Sequence, residues 1–309
     1  MKPMHSEIRV GVIGVGRLGS IHTRTYANID GARLVGICDL SQEKVVEIAQ
    51  QYPNCQPFQH YSELLGQVDA LSIATPTETH YAIAKEALLA GKHLLIEKPI
   101  TTTLAQADEL LALAEKKGVT LQVGHIERFN SALEAVVQQG KPPRFIECDR
   151  LGPFSPRVAN VGVVIDLMIH DIDIVLSIVR SPIASIDAVG LKVLTSHEDI
   201  ANARIRFKNG AVANLTASRV TPETLRKIRI FQEDAYLSID YVKQELVVYR
   251  KSGREILAEN YPIQKEEPIK KELSSFMDCI RTGQKPLVSG QEARDALAVA
   301  LEIVKQIHA

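Results

Sequence analysis

Two ionisable side chains stand four residues apart in a mostly apolar run of the sequence. Asp166 and His170 both lie within residues 161–179. A spacing of four places both side chains on one face of a helix, and Asp173 and Ser177 continue the same stripe. A carboxylate and an imidazole are costly to bury unless they pair, and an imidazole can take up and release a proton near neutral pH. The pair therefore indicates proton transfer, with a structural hydrogen bond in a core as the alternative.

The composition is that of an ordinary globular protein that is large enough for two domains. The chain has 309 residues, of which 45% are hydrophobic and 24% are charged. Its 36 basic and 37 acidic residues give a net charge of −1, which predicts no general attraction to nucleic acid or to an anionic membrane. We therefore expect a small-molecule partner, and any anionic ligand must be bound by local cationic side chains.

No segment has the pattern of a signal peptide or of a membrane span. Charged residues interrupt the longest apolar run, at 161–179, and the first residues lack an uninterrupted apolar core. We therefore predict a cytoplasmic protein. The cysteines lack paired metal-ligand spacing, so we predict no metal site and four reduced packing residues: Cys38, Cys55, Cys148 and Cys279.

The first part of the chain alternates β-rich runs with helical segments. This alternation is typical of a doubly wound parallel sheet covered by helices on both faces. Thr103 and Gly118 bracket one predicted helix over 104–117. We predict a Rossmann domain over residues 1–123, with strands Ile8–Ile13, Arg33–Cys38, Ala70–Ala74, His93–Glu97 and Thr120–Val123.

After residue 123 the pattern predicts an α+β domain over 124–309. A long helix is expected at 161–180, and Asn209-Gly210 is a strong hairpin signal. A final amphipathic helix at 291–307 could pack back on the first domain. We predict an open antiparallel sheet, whose exposed face would be covered in a homodimer or homotetramer. Its predicted strands are Ala203–Phe207, Ala211–Ala217, Ile228–Phe231, Tyr236–Tyr241 and Glu245–Arg250.

A glycine-rich turn follows the first predicted strand and opens a helix. The segment Gly14–Gly19 has the form G-x-G-x-x-G, and this strand–turn–helix context is what the motif requires. Gly14 permits the tight turn, Gly16 lets the backbone approach a pyrophosphate, and Gly19 allows close packing of helix on strand. The segment predicts dinucleotide binding, with a tight turn that binds nothing as the alternative.

Asp39 ends the second predicted strand, 20 residues beyond Gly19. A carboxylate at this position can accept hydrogen bonds from ribose hydroxyls and would repel a 2′-phosphate. We therefore favour NAD, while Arg17 and Lys44 leave NADP open. Thr75-Pro76 follows another strand end, where open α/β sheets bind ligands, although it could be a plain turn. The cofactor contacts predicted from these segments are Gly14, Gly16, Arg17, Leu18, Gly19, Asp39, Thr75 and Pro76.

Several short motifs share their order and spacing with one enzyme family. On these motifs the chain resembles the Gfo/Idh/MocA oxidoreductases over essentially its whole length. The matching residues are Gly14–Gly19 with His22, Ala74-Thr75-Pro76 followed by His80, Gly91-Lys92-His93, Glu97-Lys98-Pro99, Arg128-Phe129, and Asp166 with His170.

Two segments, Gly124–Asn130 and Asp166–Leu176, are most similar to the UDP-N-acetylglucosamine 3-dehydrogenase branch of that family. Those enzymes supply a 3-oxo sugar nucleotide for transamination, often toward a diamino-sugar lipid A. The resemblance implies NAD-dependent oxidation of C3 of UDP-N-acetylglucosamine. The alternatives are a dehydrogenase for inositol, another polyol, a free sugar or a UDP-sugar acid, and a non-catalytic dinucleotide sensor, because the fold does not choose among them.

The resemblance also implies catalytic roles. Lys98 would stabilise the developing alkoxide, and His170 would take the hydroxyl proton as hydride leaves the same carbon. Asp166 would orient the imidazole or bind a sugar hydroxyl. Glu97 would lie near the nicotinamide ribose, with a helix-neighbour salt bridge or simple exposure as the alternative. Glu97 and Lys98 are both predicted cofactor contacts.

Three histidines match the family, but packing or capping is the favoured interpretation for them: His22, His80 and His93. Of these, His80 is kept among the predicted cofactor contacts.

A nucleotide diphosphate requires cations, and arginines stand near predicted strand ends and loops of the second half. Each could instead lie on a solvated surface. His125 and Asn130 flank Arg128 and could contact sugar or nicotinamide, with ordinary packing as the alternative. Glu127 and Ser131 depart from the residues common in the family. The arginines are Arg128, Arg150, Arg157, Arg219 and Arg226, of which the first four are predicted substrate contacts.

Overall fold

The computed structural model describes residues 7–309, the side chain of Gln139 excepted, and divides into two compact units. The first unit extends through Ile126 and also contains Glu267–Arg294. The second unit contains Glu127–Glu266 and Asp295–Ala309. The predicted boundary assigned every residue after 123 to the second domain. The structure instead includes Glu267–Arg294 in the first unit.

The first unit is built on a parallel sheet of six strands in the order β3-β2-β1-β4-β5-β6. This is the doubly wound Rossmann arrangement that the sequence predicts. The unpredicted strand is β3, a three-residue edge strand that contains Pro57. The strands are β1 (Ile8–Ile13), β2 (Ala32–Cys38), β3 (Gln56–Phe58), β4 (Ala70–Ile73), β5 (His93–Glu97) and β6 (Leu121–Gly124).

Helices connect these strands and bury one face each against the sheet. The helix predicted over 104–117 begins at Thr103, whose side chain accepts a hydrogen bond from the amide of Gln106, and ends at Gly118 in the left-handed conformation. The helices are α1 (Arg17–Tyr26), α2 (Gln42–Ala49), α3 (Tyr61–Leu65), α4 (Thr77–Leu89) and α5 (Leu104–Lys117).

The second unit contains an eight-stranded sheet in the order β14-β13-β12-β11-β7-β10-β9-β8. Neighbouring strands are antiparallel, as predicted, except β7 and β10, which are parallel. Asn209-Gly210 does form the predicted hairpin. The strands are β7 (Phe145–Leu151), β8 (Ile183–Leu191), β9 (Ile200–Phe207), β10 (Val212–Ser218), β11 (Leu225–Phe231), β12 (Ala235–Asp240), β13 (Glu245–Ser252) and β14 (Glu255–Tyr261).

One face of this sheet is covered by helices α6 (Ser131–Gln139) and α7 (Ile169–Val179). The long predicted helix at 161–180 is confirmed but is not regular, because Val164–Met168 forms a π-helical turn before α7. Side chains from α7 and from the inner face of the strands share one apolar core. Short 3₁₀ turns lie at Ile126–Phe129 and Pro156–Val158.

The last two helices divide between the units. Helix α8 (Pro268–Thr282), which the sequence analysis missed, packs its apolar face into the core of the first unit. Helix α9 (Gly290–Ile307) belongs to the second unit from Asp295 onward. It contributes four residues to the core of the second unit: Ala296, Val299, Ala300 and Ile303. Packing of this helix on the first domain stays a prediction.

The four cysteines are buried and free, as predicted. None of the described helices combines the length and the apolar character needed to cross a bilayer.

Candidate active site

The glycine turn after β1 is shaped by close backbone contacts. Gly14 has a φ of +85°, and a Cβ there would lie 2.8 Å from the carbonyl of Ala74. A Cβ on Gly19 would lie 1.7 Å from the carbonyl oxygen of Gly14. A Cβ on Gly16 would meet no atom within 4 Å. Gly14 and Gly19 are therefore required by the fold itself, whereas Gly16 leaves open the space beside the turn that a pyrophosphate requires.

Helix α1 starts at Arg17 without a side-chain cap and without an acidic residue in its first turn. Its N-terminus therefore retains free amide donors and the positive end of the helix dipole, which suit a phosphate. Arg17 and Leu18 are exposed on this first turn. The residues present fit a dinucleotide.

Asp39 stands at the end of β2 and is tied to the glycine turn. Its carboxylate accepts a hydrogen bond of 2.8 Å from the amide of Val15 and one of 3.1 Å from the amide of Ser41. These two donors fix the orientation of the carboxylate beside the turn, and Leu40, which follows it, is fully solvent-exposed. The arrangement matches the expected place of a ribose-binding carboxylate.

His80 on α4 joins two turns at the carboxyl ends of neighbouring strands. Its Nδ1 lies 2.9 Å from the carbonyl oxygen of Pro99, and its Nε2 lies 2.9 Å from that of Thr75. The side chain is buried, and burial lowers the pKa of the imidazole. The structure therefore favours the packing alternative for His80, which holds Thr75-Pro76 in place rather than facing a cofactor. His93 has a similar structural contact, since its Nδ1 accepts from the amide of Thr120 at 3.0 Å.

Glu97 and Lys98 occupy the end of β5 and the first position after it. Glu97 is nearly buried, and its Oε1 lies 3.0 Å from Nε2 of His22 on α1. Lys98 is half-buried and is joined to Pro99 by a cis peptide bond. The structure thus gives Glu97 the salt-bridge partner that the sequence analysis left as an alternative.

A third ionisable side chain, Glu272 of α8, lies in the same cluster as His22 and Glu97. It was missed because α8 was not predicted. The available signal was a glutamate on the apolar stripe of an amphipathic segment, next to Leu273 and one turn from Phe276.

Asp166 and His170 begin the long helical segment of the second unit. Asp166 lies in the π-helical turn and His170 in the first turn of α7. Both are partly exposed, whereas Met168 and Ile169 between them are buried. A π turn inserted into a helix is frequently found at functional sites, because it redirects side chains that an α-helix would align differently.

Arg150, a predicted substrate contact, is instead held inside the second unit. Its Nε and Nη2 donate to the two carboxylate oxygens of Asp171 at 2.8 and 2.9 Å, and its Nη1 donates to Glu127 at 3.1 Å. Only 3% of the guanidinium side chain is exposed. We therefore withdraw Arg150 from the substrate-binding residues. The contact with Arg150 also explains why glutamate stands at position 127, where the family commonly has another residue. The Glu127 carboxylate offsets part of the buried positive charge of Arg150.

Replacing Arg150 with methionine should destabilise the protein by about 3–5 kcal/mol, because the change leaves the Asp171 carboxyl buried without its ion-pair partner, at a place where burial already raises its pKa. Urea unfolding followed by circular dichroism measures this loss. Arg229→Met is the matched control. Its guanidinium is 37% exposed and pairs with Glu147 and Asp149, so its loss should cost about 1 kcal/mol or less. Equal losses in the two variants would contradict the internal role of Arg150.

Arg219 is also engaged within the second unit. Its Nε lies 2.7 Å from Asp199, and its Nη1 donates to the carbonyls of Val158 and Val161 at 2.7 and 2.6 Å. Burial opposes ionisation of Asp199, but hydrogen bonds from three backbone amides and from Arg219 lower its pKa overall. We withdraw Arg219 as well, since its donors hold a loop.

Asn130 caps α6, and its side chain is engaged within the second unit. The structure therefore favours ordinary packing over a substrate contact for Asn130. Its side chain accepts from the amide of Ala132 and donates to the carbonyl of Tyr241, both at 3.1 Å. Ser131, which departs from the family, occupies the first helical position after this cap, where proline is also favoured.

The remaining predicted substrate residues are placed as follows. Arg128 forms an ion pair of 3.2 Å with Asp173, and only 10% of its side chain is exposed. His125 follows β6 and is buried. Arg157 is exposed in a 3₁₀ turn, which leaves it available to an anionic ligand. These three stay predictions.

Comparison with known proteins matches two family descriptions along the chain. Residues 8–125 match the oxidoreductase family with an NAD-binding Rossmann fold, GFO_IDH_MocA. Residues 131–238 match the GFO/IDH/MocA C-terminal domain.

Individual relatives cover almost the whole chain. The UDP-N-acetylglucosamine 3-dehydrogenase of Acidithiobacillus ferrooxidans is 38% identical over 303 residues, which are 96% of each protein. Its solved structure superposes with a TM-score of 0.93 over 97% of each chain. The myo-inositol 2-dehydrogenase of Thermotoga maritima is 26% identical over 97% of this chain and 96% of its own. A levoglucosan dehydrogenase solved with NADH is 19% identical, with a TM-score of 0.88 over 97% of each chain, and shows likeness of fold alone.

Proposed function

The chain belongs to the Gfo/Idh/MocA family of oxidoreductases, and we propose that it oxidises the C3 hydroxyl of UDP-N-acetylglucosamine to the 3-oxo sugar nucleotide. The observation that carries this substrate is the 38% identity over 96% of both chains to an enzyme named for that reaction. The domain that would bind the cofactor is an NAD-binding Rossmann domain.

The proposed chemistry divides between a base and an electrostatic stabiliser. His170 takes the hydroxyl proton, and Asp166 orients the imidazole and stabilises its cationic form. The ammonium of Lys98 stabilises the alkoxide while charge develops on the oxygen. The bound dinucleotide supplies the acceptor for the hydride that leaves C3. The products are the 3-oxo sugar nucleotide, the reduced cofactor and one proton held by His170.

We propose that the cofactor is NAD rather than NADP, because the carboxylate of Asp39 stands at the end of β2, where it would repel a 2′-phosphate. Replacing Asp39 with asparagine should lower kcat/KM for NAD by about ten- to a hundredfold. This factor corresponds to the loss of one hydrogen bond to a charged group, which contributes about 1.5–3 kcal/mol. The ratio of NADP to NAD use should rise, because the repulsion of a 2′-phosphate is removed.

Glu43→Gln is the control for this prediction, since Glu43 is an exposed carboxylate on the neighbouring α2. It should leave cofactor preference unchanged. An unchanged NADP-to-NAD ratio in Asp39→Asn would remove Asp39 from cofactor selection.

The substrate is tested with purified protein, NAD and UDP-N-acetylglucosamine that carries deuterium on C3. A sugar-nucleotide aminotransferase with glutamate draws an unfavourable equilibrium forward. Deuterium in the isolated NADH would identify C3 as the hydride donor, and unlabelled NADH would identify another carbon.

The alternatives are separated by the same assay. Turnover only with myo-inositol, a free sugar or a UDP-sugar acid would assign another dehydrogenase activity. Binding of NAD without turnover of any polyol would indicate a sensor.

We also propose a homodimer or homotetramer formed through the second unit. Its β8 and β14 expose large apolar side chains, among them Val189, Leu191 and Ile256. Light scattering of the purified protein measures the subunit number. The cytoplasmic location and a place in diamino-sugar lipid A synthesis stay predictions.

A further inference from the structure

Three ionisable side chains meet in the interior of the first unit. They are His22 of α1, Glu97 at the end of β5, and Glu272 of α8. One nitrogen or carboxylate oxygen from each lies within 4.8 Å of the other two. His22 and Glu272 are fully buried, and Glu97 is 8% exposed. Water therefore does not stabilise charge on either carboxylate.

Hydrogen bonding in this cluster is incomplete around Glu272. Neither of its carboxyl oxygens has a hydrogen-bond partner among the described side chains, and the same holds for Oε1 of the neighbouring Gln122. The Gln122 amide nitrogen donates only to the backbone carbonyl of Glu272, at 3.1 Å. Buried polar groups without partners are rare and call for an explanation.

Glu97 and Glu272 cannot both be ionised in this buried cluster. Burial raises the pKa of Glu272 well above its usual range, and the charge of Glu97 raises it further. Burial also opposes ionisation of Glu97, but the hydrogen bond with His22 and the nearby Lys98 and His80 lower its pKa overall. Glu97 is therefore the ionised member of the pair.

We propose that Glu272 is a positioning residue that keeps its carboxyl proton at neutral pH and donates a hydrogen bond through it to the Glu97 carboxylate. Glu97 then lies between the His22 imidazole, 3.0 Å from its Oε1, and the hydrogen bond from Glu272, and the strand end from which Lys98 extends is held in place. The proposal rests on the proposed role of Lys98 in the oxidation and on the predicted place of Glu97 near the nicotinamide ribose.

The other groups that face Glu272 do not supply a compensating charge. From α1 it faces His22 and the neutral Tyr26, whose hydroxyl is hydrogen-bonded to Ser72 at 2.9 Å and whose pKa is raised by burial. From β6 it faces the uncharged Gln122. Among the described residues, the charge that acts on the pKa of Glu272 is that of Glu97, which has the same sign.

The proton is tested by unfolding the wild type and Glu272→Gln in urea at several pH values between about 5.5 and 7.5. Folded Glu272 retains its proton across this range, whereas unfolded Glu272, with its ordinary pKa of about 4.3, has released it. The unfolding constant of the wild type should therefore rise, relative to Glu272→Gln, by about tenfold for each pH unit. The control is Glu115→Gln, which replaces an exposed glutamate of α5. The ratio of the wild-type unfolding constant to that of Glu115→Gln should not change with pH.

Positioning is tested through the dissociation constant of NADH, followed by nicotinamide fluorescence. Glu272→Gln keeps a donor of the same shape and should bind NADH within about threefold of the wild type, a difference below 1 kcal/mol. Glu272→Leu removes the donor and should weaken binding by about tenfold, with unchanged circular dichroism.

Three results would overturn the proposal. A wild-type to Glu272→Gln ratio that is constant with pH would show that Glu272 carries no proton. NADH affinity of wild-type strength in Glu272→Leu would show that it positions nothing. A stoichiometric metal ion, found by mass spectrometry of the purified protein and removed by a chelator, would show that a cation takes the place of the proton. No sugar enters these measurements, so their failure is distinct from failure of the UDP-N-acetylglucosamine assignment.

Discussion

Replacing His170 with alanine is expected to lower kcat by roughly 10²–10⁴-fold, the usual contribution of a positioned general base. The hydroxyl proton must leave as hydride departs from the same carbon, and without the imidazole only water can accept it. Steady-state NADH formation with UDP-N-acetylglucosamine measures the loss. The affinity for NAD should stay near the wild-type value, because His170 lies on α7, outside the Rossmann unit.

The placement of His170 supports this expectation. It is partly exposed in the first turn of α7, directly after the π turn that carries Asp166. The buried face of the same helix holds Asp171, which is already engaged by Arg150. The segment thus carries one carboxylate used for stability, Asp171, and another, Asp166, that is partly exposed and precedes the candidate base by four residues.

The matched control is His60→Ala, which removes an exposed histidine at the start of α3. Its kcat should equal that of the wild type. In the wild type, kcat/KM should fall toward acid pH as the base becomes protonated, and this limb of the profile should be absent in His170→Ala. Normal turnover in His170→Ala would exclude His170 as the base.

Replacing Lys98 with methionine is expected to lower kcat by about 10²–10³-fold, the cost of removing one preorganised donor from a developing oxyanion. Methionine approximates the length of the side chain without its charge. The loss should appear in kcat more than in the KM for the sugar, because alkoxide charge exists in the transition state and not in the bound substrate.

Lys98→Arg should recover part of this loss, since it restores the positive charge with a different donor geometry. Lys116→Met, which removes an exposed lysine near the end of α5, is the control and should have wild-type kcat. If Lys98→Met raised only the KM, Lys98 would be a binding residue and not a stabiliser of the alkoxide.

The fold of the first unit could be predicted from the sequence because its information is local. Buried parallel strands are short continuous apolar runs, and glycines or caps mark where the helices begin and end. Gly14 shows this directly, since its φ of +85° is a requirement of the turn that any sequence in this place must meet. The hairpin at Asn209-Gly210 was predictable for the same reason.

The second unit was predicted less completely because its strands are unevenly buried. Every residue of β14 is exposed, and β7 alternates buried Ile146, Cys148 and Arg150 with charged neighbours. Neither strand has the apolar enrichment on which a sequence-based assignment depends. The parallel pairing of β7 with β10 joins segments far apart in the chain, and no local pattern reports it.

The sequence by itself determined the dinucleotide turn, the alternation of strand and helix, and the Asp166–His170 spacing, because each depends on residues within a few turns of one another. Only the tertiary structure decided which charged side chains are internal. Arg150 is paired with Asp171, and Arg219 with Asp199, across 21 and 20 residues of sequence. Glu272 reaches Glu97 from α8, a helix far along the chain. Burial and partner choice are properties of the packed chain, so the same residue types read as surface charges until their neighbours are known.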